Sequence, residues 1–392
     1  MKVEQAPRLA EAVIRWQRRH GRHHLPWQQS RRALGFADRP DADVLRDPYR
    51  VWLSEVMLQQ TQVATVIPYF EAFLRAYPTV MDLAAADPEE VMGLWAGLGY
   101  YSRARNLLAA ARQVAAAGGR FPESAEGWER LPGVGRSTAA AVATFAYGAR
   151  AAILDGNVKR VLCRVFAVSG DPAEAATLRR LWVCAEAELP PPGTAPADLI
   201  AYTQGMMDLG AMVCTRSRPG CTVCPLASLC RAWQQGEPTR YPSPRQRRSV
   251  SVRPVNLLWL ADGQNQVLLQ VRPDKGIWGG LWSLPEWPQE VPQDWQAQGR
   301  FTHQFTHFRM DAAIWSPPPA LVRALLAHPD RWGNDDLRGW KGLAAMLAKV
   351  LPAPAQQRWV GLKALDRAPL PRPIQRWLQA RAAQPRLATW SG

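Results

Sequence analysis

Glu55 is the first residue whose type and place indicate chemistry. It lies in the middle of a mostly apolar stretch, residues 48–62, that is strongly helical in character. Charged residues are seldom buried without a partner, so Glu55 lies either on the solvent side of this helix or in a functional pocket. Its apolar neighbours favour the pocket: Val51, Val56 and Leu58.

Asp155 is the second such carboxylate. It stands in a short polar break, with Gly156 at its side and Lys159 and Arg160 on the next turn. A carboxylate held beside groups that bind phosphate could be catalytic. The alternative is that Asp155 only caps the helix that begins near Asn157, because aspartate is a preferred N-cap residue.

Four of the six cysteines form a third candidate site near residue 220. Such clustering in a cytosolic protein favours a metal over disulfides. One close pair and two outliers suit a [4Fe–4S] cluster better than the two paired knuckles of structural zinc, which stays the alternative. Cys163 and Cys184 lie in apolar helical stretches and are interpreted as core residues. The predicted ligands are Cys214, Cys221, Cys224 and Cys230.

The stretch that leads to Asp155 begins Leu-Pro-Gly-Val-Gly-Arg-Ser-Thr and predicts a helix-hairpin-helix. Pro132 stops the incoming helix, while Gly133 and Gly135 permit the backbone angles of a tight hairpin. Ser137 or Thr138 can cap the helix that follows. A glycine-lined turn that opens into a helix presents backbone N–H groups to a phosphate oxygen. The hairpin therefore predicts contact with a nucleic-acid backbone.

A second loop, Gly97–Arg105, carries side chains that suit DNA. Tyr100 and Tyr101 could stack on bases or wedge between them. Two nearby cations could meet phosphates: Arg103 and Arg105. The alternative is a plain interhelical turn whose tyrosines face the core.

The composition fits a polyanionic partner. Among 392 residues, 48 lysines and arginines against 33 acidic residues give a formal net charge of +15. This charge indicates nucleic acid or an anionic membrane. No apolar run in the sequence approaches the length of a membrane span, and the N-terminus lacks the apolar core of a signal peptide. We therefore expect a soluble, cytoplasmic protein of about two domains.

The character of the chain changes near residue 232. The next twenty residues alternate arginine with proline and are interpreted as a basic linker. Beyond it the apolar period shifts toward two in residues 255–260 and 267–271, with a turn between them, which predicts a β-hairpin that opens a second, α+β domain. Two helical segments are expected to cover its sheet, near residues 319–327 and 340–350.

Together these motifs closely resemble those of the adenine DNA glycosylases of the MutY family, within the helix-hairpin-helix superfamily. The resemblance covers nearly the whole chain, and the order and spacing of its motifs make it specific. It implies a multidomain protein: an all-α helix-hairpin-helix glycosylase domain at 1–232 with its iron–sulfur loop at 214–230, a basic linker at 233–253, and a smaller α+β Nudix-like domain at 254–392. The segments that carry it are Ser54–Thr61, Gly97–Tyr101, Leu131–Thr138, Leu154–Arg160 and the four cysteines.

The resemblance implies that Glu55 is the general acid and Asp155 the catalytic aspartate in hydrolytic removal of adenine mispaired with 8-oxoguanine or guanine. A glutamate whose pKa is raised in an apolar pocket suits protonation of adenine N7, and an ionised Asp155 suits the oxocarbenium-like sugar that remains. Asn157 matches a position that orients this acidic pair. Ser137 stands where lyase members carry a lysine that forms a Schiff base. The resemblance therefore implies a monofunctional glycosylase, with Lys159 capable at most of incidental imine formation.

The same resemblance implies the contacts with the base and with DNA. Leu25, Trp27 and Gln204 would line the adenine pocket. Gln60 would lie near the widowed base, and Tyr100 would wedge into the duplex beside 8-oxoguanine, which would offset the cost of flipping adenine out of the stack. The hairpin glycines and one lysine would contact DNA: Gly133, Gly135 and Lys159.

The C-terminal domain resembles the Nudix-like domain with which the family recognises 8-oxoguanine. The likeness lies in residues 276–285, and the acidic helix that binds magnesium in Nudix hydrolases is absent after it. The domain is therefore expected to recognise rather than hydrolyse. Phe305, Thr306 and His307 match a loop where the family usually has Phe-Ser-His. Thr306 keeps the hydroxyl but adds a methyl group and stiffens χ1.

Two other hypotheses fit part of the sequence. A glycosylase/AP-lyase that acts on oxidised pyrimidines is disfavoured by Ser137 and by the recognition domain. A non-catalytic iron–sulfur DNA-binding protein is disfavoured by Glu55 and Asp155. The implied partner is duplex DNA with the mispair and no membrane, bound by a monomer in the cytoplasm at the nucleoid. The sequence offers no account of the long segment at 29–46.

Overall fold

The computed structural model describes residues 6–36, 40–243, 250–261, 266–273, 276–305, 307–320, 322 and 357–383. Its internal contacts divide the chain into two compact units. The first comprises residues 1–86 and 105–247, and the second comprises residues 87–104 and 248–392. The domain boundaries at 232 and 253 stay a prediction.

The described part of the chain up to residue 243 is helical. The sequence starts several of these helices with a residue that accepts a hydrogen bond from a free backbone N–H: Asp47 accepts from the Arg50 N–H, and Ser124 from the Gly127 N–H. The helices are α1 Ala6–His20, α2 Pro48–Leu58, α3 Val63–Ala76, α4 Val80–Ala85, α5 Pro88–Trp95, α6 Ser102–Ala116, α7 Ala125–Glu129, α8 Arg136–Tyr147, α9 Gly156–Val165, α10 Ala175–Ala187, α11 Pro196–Asp208 and α12 Arg231–Gln234.

Aromatic residues form the core of the first unit where α2, α7 and α8 pack together. Trp52 and Trp128 are fully buried, with ring centroids 6.0 Å apart, and Phe145 is buried on α8. Burial of each such side chain contributes about 1.5–3 kcal/mol. This packing fixes the orientation of α2, the helix that carries Glu55.

The hairpin between α7 and α8 forms as predicted, but Gly135 and Ser137 do not have the roles predicted for them. Gly133 has φ +74°, and a Cβ there would lie 2.6 Å from the Asn106 Cβ, so glycine is required. Gly135 instead has φ −88° and open space around it. It is itself the N-cap of α8, which begins at Arg136, so the prediction that Ser137 or Thr138 caps this helix was wrong.

The second unit contains two sheets. A four-stranded sheet has the order β4-β1-β6-β5, with β1 parallel to β6, and a three-stranded antiparallel sheet has the order β3-β2-β7. A further helix, α13, follows at Arg372–Ala382. The strands are β1 Ser251–Leu258, β2 Gln266–Val271, β3 Trp282–Ser283, β4 Glu286–Trp287, β5 Gln296–Gln304, β6 Phe308–Ser316 and β7 Gln357–Gly361.

The predicted hairpin between the first two strands was wrong. In the described residues, β1 and β2 belong to different sheets, and an isolated bridge joins Ala261 to Val267. The alternation of apolar residues predicted both strands, but it carries no information on partners, which distant segments decide. The helices expected near 319–327 and 340–350 fall almost wholly outside the described residues.

Helix α5 belongs to the second unit by its contacts. Glu89 in its first turn accepts a hydrogen bond from Trp282 Nε1 at 3.0 Å and one from Arg358 at 2.7 Å. Arg358 also lies over the Trp282 ring, 4.9 Å from its centroid. None of the helices in the described residues has the length and apolar composition needed to cross a bilayer.

Candidate active site and cysteine loop

One face of α2 forms the wall of a pocket. Helix geometry places residues 51, 54, 55 and 58 on the same face, because they follow one another at spacings of three and four. The pocket brings together Glu55 with three side chains predicted to hold adenine, Leu25, Trp27 and Gln204. Its lining is completed by Arg22, Arg46, Val51, Ser54, Leu58, Val63, Phe145 and Met207.

The pocket environment makes Glu55 a weak acid. Burial, and after it the negative charge of Asp155, raise the pKa of its carboxyl to about 7, against the opposing effect of the positive charge of Arg46. At neutral pH the group is therefore divided between its protonated and ionised forms. A carboxyl in this state can donate a proton and later accept one.

Asp155 caps α9, one of the two roles proposed for it from the sequence, and its catalytic role stays a prediction. One carboxylate oxygen accepts the Val158 backbone N–H at 2.8 Å and so caps α9, and the other accepts the side-chain amide of Asn157 at 3.4 Å. Burial raises the pKa of Asp155, whereas these hydrogen bonds and the charge of Arg160 lower it. The cap and the catalytic role are thus compatible, since the cap fixes the carboxylate where its charge acts on Glu55.

Ser137 ties the hairpin helix to the segment before Asp155. Its hydroxyl accepts the Leu154 backbone N–H at 2.9 Å, so the hydroxyl braces the approach to the aspartate. Lys159 lies half-buried on α9. Neither Ser137 nor Lys159 lines the pocket.

Two residues predicted to act on the opposite strand have strained backbones. Gln60 has φ +60° and Tyr100 has φ +49°, a region that residues other than glycine rarely occupy. Such strain clusters at functional sites. Tyr100 is 49% exposed, so the alternative in which it faces the core does not hold.

Sequence reasoning missed two charged residues of the pocket lining, Arg22 and Arg46, and the buried Asp208 that contacts it. Asp208, whose side chain is fully buried, accepts hydrogen bonds from Arg22 at 2.7 Å and from Gln204 at 3.0 Å. Arg46, 7% exposed, donates to Gln204 at 3.2 Å. One signal was available: Arg46 directly precedes Asp-Pro, the cap and first residue of the helix that bears Glu55.

The four clustered cysteines line a single cavity, together with apolar side chains such as Leu209 and Leu226. No group of three or more His, Cys, Asp or Glu side chains within the described ranges is arranged to hold a metal ion. Burial raises the pKa of the Cys224 thiol to about 11. Any cation bound here must therefore displace protons from these thiols.

Arg164 of α9 braces the cysteine loop from inside. Only 2% exposed, it donates to the Cys214 Sγ at 3.2 Å and to the Thr215 backbone oxygen at 2.7 Å. It also donates to the backbone oxygens of Arg216 and Tyr241, each at 2.9 Å. A single guanidinium thus satisfies two carbonyls of the cysteine loop and that of Tyr241 beyond it.

Arg160 joins the cysteine loop to the aspartate. It donates to the Cys214 backbone oxygen at 2.7 Å and to the Asn157 side-chain oxygen at 2.8 Å. Asn157 in turn donates to Asp155. Backbone packing is close at the same place, because a Cβ on Gly210 would lie 2.6 Å from the Asn157 Cβ.

In the second unit, the loop between β5 and β6 is held by aromatic residues. Phe305 stacks on Phe308 with ring centroids 4.6 Å apart, and it also contacts Trp278 and His303. Burial lowers the pKa of His303, which supports a neutral, structural imidazole. His307 is exposed, and Thr306 lies outside the described residues.

Known proteins match both units. The profile of the HhH-GPD superfamily base excision DNA repair proteins matches residues 53–186, and that of the NUDIX domain matches residues 256–380. The chain is 37% identical over 363 residues to the adenine DNA glycosylase of Rattus norvegicus, a match that covers 75% of this chain and 69% of that protein. The chain belongs to the adenine DNA glycosylase family. The family and the fold class indicated by the motifs are thereby confirmed.

Other members of the adenine DNA glycosylase family match to different extents. The protein of Buchnera aphidicola subsp. Acyrthosiphon pisum is 29% identical over 386 residues, which cover 95% of this chain and 97% of that protein. The human protein is 50% identical over 215 residues, which cover 54% of this chain. That match spans 37% of the human protein's length.

Proposed function

We propose that the chain is a monofunctional adenine DNA glycosylase that excises adenine mispaired with 8-oxoguanine or guanine, as a monomer at the nucleoid. The observation that carries the proposal is Glu55 in a pocket lined by Leu25, Trp27 and Gln204, with its pKa at about 7 and the charge of Asp155 acting on it. Two carboxylates in different environments can take separate roles, one as the general acid and the other as an electrostatic stabiliser.

The chemistry follows from the two environments. Protonated Glu55 donates its proton to N7 of the flipped adenine, which makes the base a better leaving group. The C1′–N9 bond breaks and its electron pair leaves with the base, while the charge of Asp155 stabilises the cationic sugar. Water then bonds to C1′, and its proton returns to Glu55. The product is free adenine and an abasic site.

The test is single-turnover excision by the full chain on three duplexes, with adenine opposite 8-oxoguanine, adenine opposite guanine, or an oxidised pyrimidine. We expect strand breakage on the adenine duplexes only, and only after alkali, since Ser137 has no amine to form a Schiff base. Breakage without alkali on the pyrimidine duplex would assign the chain to the lyases. No excision on any duplex would leave DNA binding as its function.

The cysteine cavity fits a [4Fe–4S] cluster held by Cys214, Cys221, Cys224 and Cys230. A cubane is wider than a single ion, so its four thiolates need not converge on one point. Soft thiolates and an apolar cavity suit such a cluster, and Arg164 adds a charged donor to one sulfur. The cluster would cross-link the loop. Its redox chemistry has no part in the hydrolysis proposed above.

Metal analysis of the purified chain tests this assignment. We expect a brown protein with four iron and four sulfide per chain. Cys221→Ser should lose the colour and most of the DNA affinity, because a loop without the cluster cannot hold its arginines in place to contact phosphate. Cys184→Ser, outside the cavity, is the matched control and should keep both. A colourless protein that contains zinc contradicts the assignment.

Thr306→Ala is expected to weaken the preference for 8-oxoguanine over guanine more than overall DNA affinity. The hydroxyl would bond the edge that distinguishes the oxidised base, and one such hydrogen bond is worth about 1 kcal/mol, or roughly fivefold. Binding of both duplexes by a variant that cannot excise measures the ratio. Thr302→Ala, an exposed threonine on β5, is the control. An equal loss on both duplexes would remove Thr306 from recognition.

A further inference from the structure

The segment at 29–46 holds the buried side chain of Arg46 in place. The Arg31 backbone N–H donates to the Leu45 oxygen at 2.7 Å, and the Arg32 N–H donates to the Ala42 oxygen at 2.8 Å. Ala42 and Leu45 are buried, 0% and 1% exposed. These bonds and anchors fix the backbone up to Arg46, so the place of that guanidinium is set before α2 begins.

Arg46 lies in the pocket wall between an aromatic ring and an amide. Its guanidinium is 4.2 Å from the Phe145 ring centroid, and its backbone N–H donates to the Phe145 oxygen at 2.9 Å. Its side chain donates to the Gln204 Oε1 at 3.2 Å. An arginine buried this deeply keeps a fixed orientation, because leaving its place would expose the ring and leave the charge unpaired.

Two fixed charges determine which way the Gln204 amide points. Its Oε1 accepts from Arg46, and its Nε2 donates to Asp208 at 3.0 Å. Asp208 is itself held by the backbone N–H of Arg22 at 2.8 Å and by its guanidinium. A flipped amide would place Nε2 against the guanidinium and Oε1 against the carboxylate. Both contacts would be repulsive, so only one orientation is allowed.

The locked amide keeps one N–H and one oxygen lone pair for the base. Adenine presents a donor at N6 beside an acceptor at N1, which is the complement of this pair. Hypoxanthine has the same shape but the reverse pattern, an acceptor at O6 beside a donor at N1. A freely rotating amide would accept both bases, whereas a locked one accepts adenine and meets hypoxanthine with two repulsive contacts.

We propose that Arg46, supplied by the 29–46 segment, is a specificity-determining positioning residue that locks the Gln204 amide for adenine against a 6-oxopurine. The inference rests on the proposed function. It gives that segment a role and names a basis for base choice that is separate from the acid Glu55. Any effect of Arg46 on the acidity of Glu55 changes the excision of adenine and of hypoxanthine alike. The ratio of the two excision rates therefore reports only on the orientation of the Gln204 amide.

The experiment measures single-turnover excision of adenine and of hypoxanthine, each opposite 8-oxoguanine in the same duplex. Arg46→Gln removes the fixed charge and can offer either a donor or an acceptor, and we expect the adenine-to-hypoxanthine ratio to fall about tenfold. Arg46→Lys keeps a charged donor and should retain most of the ratio. Arg50→Gln is the matched control, since Arg50 contacts Gln29 outside the pocket lining and should leave the ratio unchanged.

The outcomes separate the two claims. Equal ratios for Arg46→Gln, Arg46→Lys and the wild type overturn the lock while adenine excision still supports the proposed function. A wild-type chain that excises neither base overturns the proposed function, and the lock with it. Melting temperature checks that each variant folds, and Arg46→Met gives a second neutral variant if Arg46→Gln does not.

Discussion

Glu55→Gln is expected to reduce single-turnover adenine excision by about 10³-fold while binding of the mispaired duplex survives. The amide keeps the size of the side chain but has no proton to donate to the base, and a positioned general acid contributes roughly 10²–10⁴-fold. Excision and binding are measured on the same duplex with adenine opposite 8-oxoguanine. Glu71→Gln, an exposed glutamate on α3, is the matched control and should excise at the normal rate.

The pH dependence of excision provides a second measure of Glu55. Because the pKa of Glu55 is about 7, the protonated fraction should fall tenfold for each pH unit above 7. The excision rate of the wild type should fall with it. Residual excision by Glu55→Gln should not follow this profile. A normal rate in the Gln variant, or a wild-type rate that is flat from pH 6 to pH 9, would remove Glu55 from the role of acid.

The Glu55→Gln substitution should change stability in the opposite sense to activity. The folded protein holds the Glu55 proton up to about pH 7, whereas the unfolded chain releases it near 4.5. The stability gained from protonated Glu55 is therefore complete below pH 4.5 and is lost as the pH rises through 7. Glu55→Gln removes this loss, so at pH 8 the variant should be more stable than the wild type by about 1–3 kcal/mol.

Arg164→Met is expected to destabilise the first unit strongly. It removes the donor from the buried Tyr241 carbonyl and from the part-buried carbonyls of Thr215 and Arg216, which we expect to cost about 3 kcal/mol. For a domain of this size that loss lowers the melting temperature by roughly 6–12 °C. Iron content should fall as well, because the loop that carries the cysteines loses its brace.

The control for this change is Arg179→Met on the exposed surface of α10. It removes the same charge and should alter the melting temperature by no more than about 2 °C. An Arg164→Met protein with wild-type melting temperature and iron content would show that the loop is held by its other contacts. The brace assigned to Arg164 would then be wrong.

The local chemistry of the site was open to prediction because it depends on short spacings. Glu55 stood out as a charge among apolar helical residues, Asp155 as an N-cap beside cations, and the four cysteines as neighbours in sequence. In each case the residues that act together lie within one helix turn or one loop, where chain geometry fixes their relation. A raised pKa of Glu55 was expected from its apolar neighbours, whereas the charge of Asp155, which also raises it, comes from a distant part of the chain.

The rest required the tertiary structure. Arg22, Arg46, Gln204 and Asp208 form one network in the pocket, yet most of these residues are far apart in the chain, so no spacing relates them. The partners of β1 and β2 were likewise undetermined, because alternation predicts a strand but not its neighbour. The sequence by itself therefore determined the two carboxylates, the candidate cysteine ligands and the family. Only the tertiary structure decided which charges contact the base pocket and how the Gln204 amide is oriented, because folding buries charged residues from distant parts of the chain against one another.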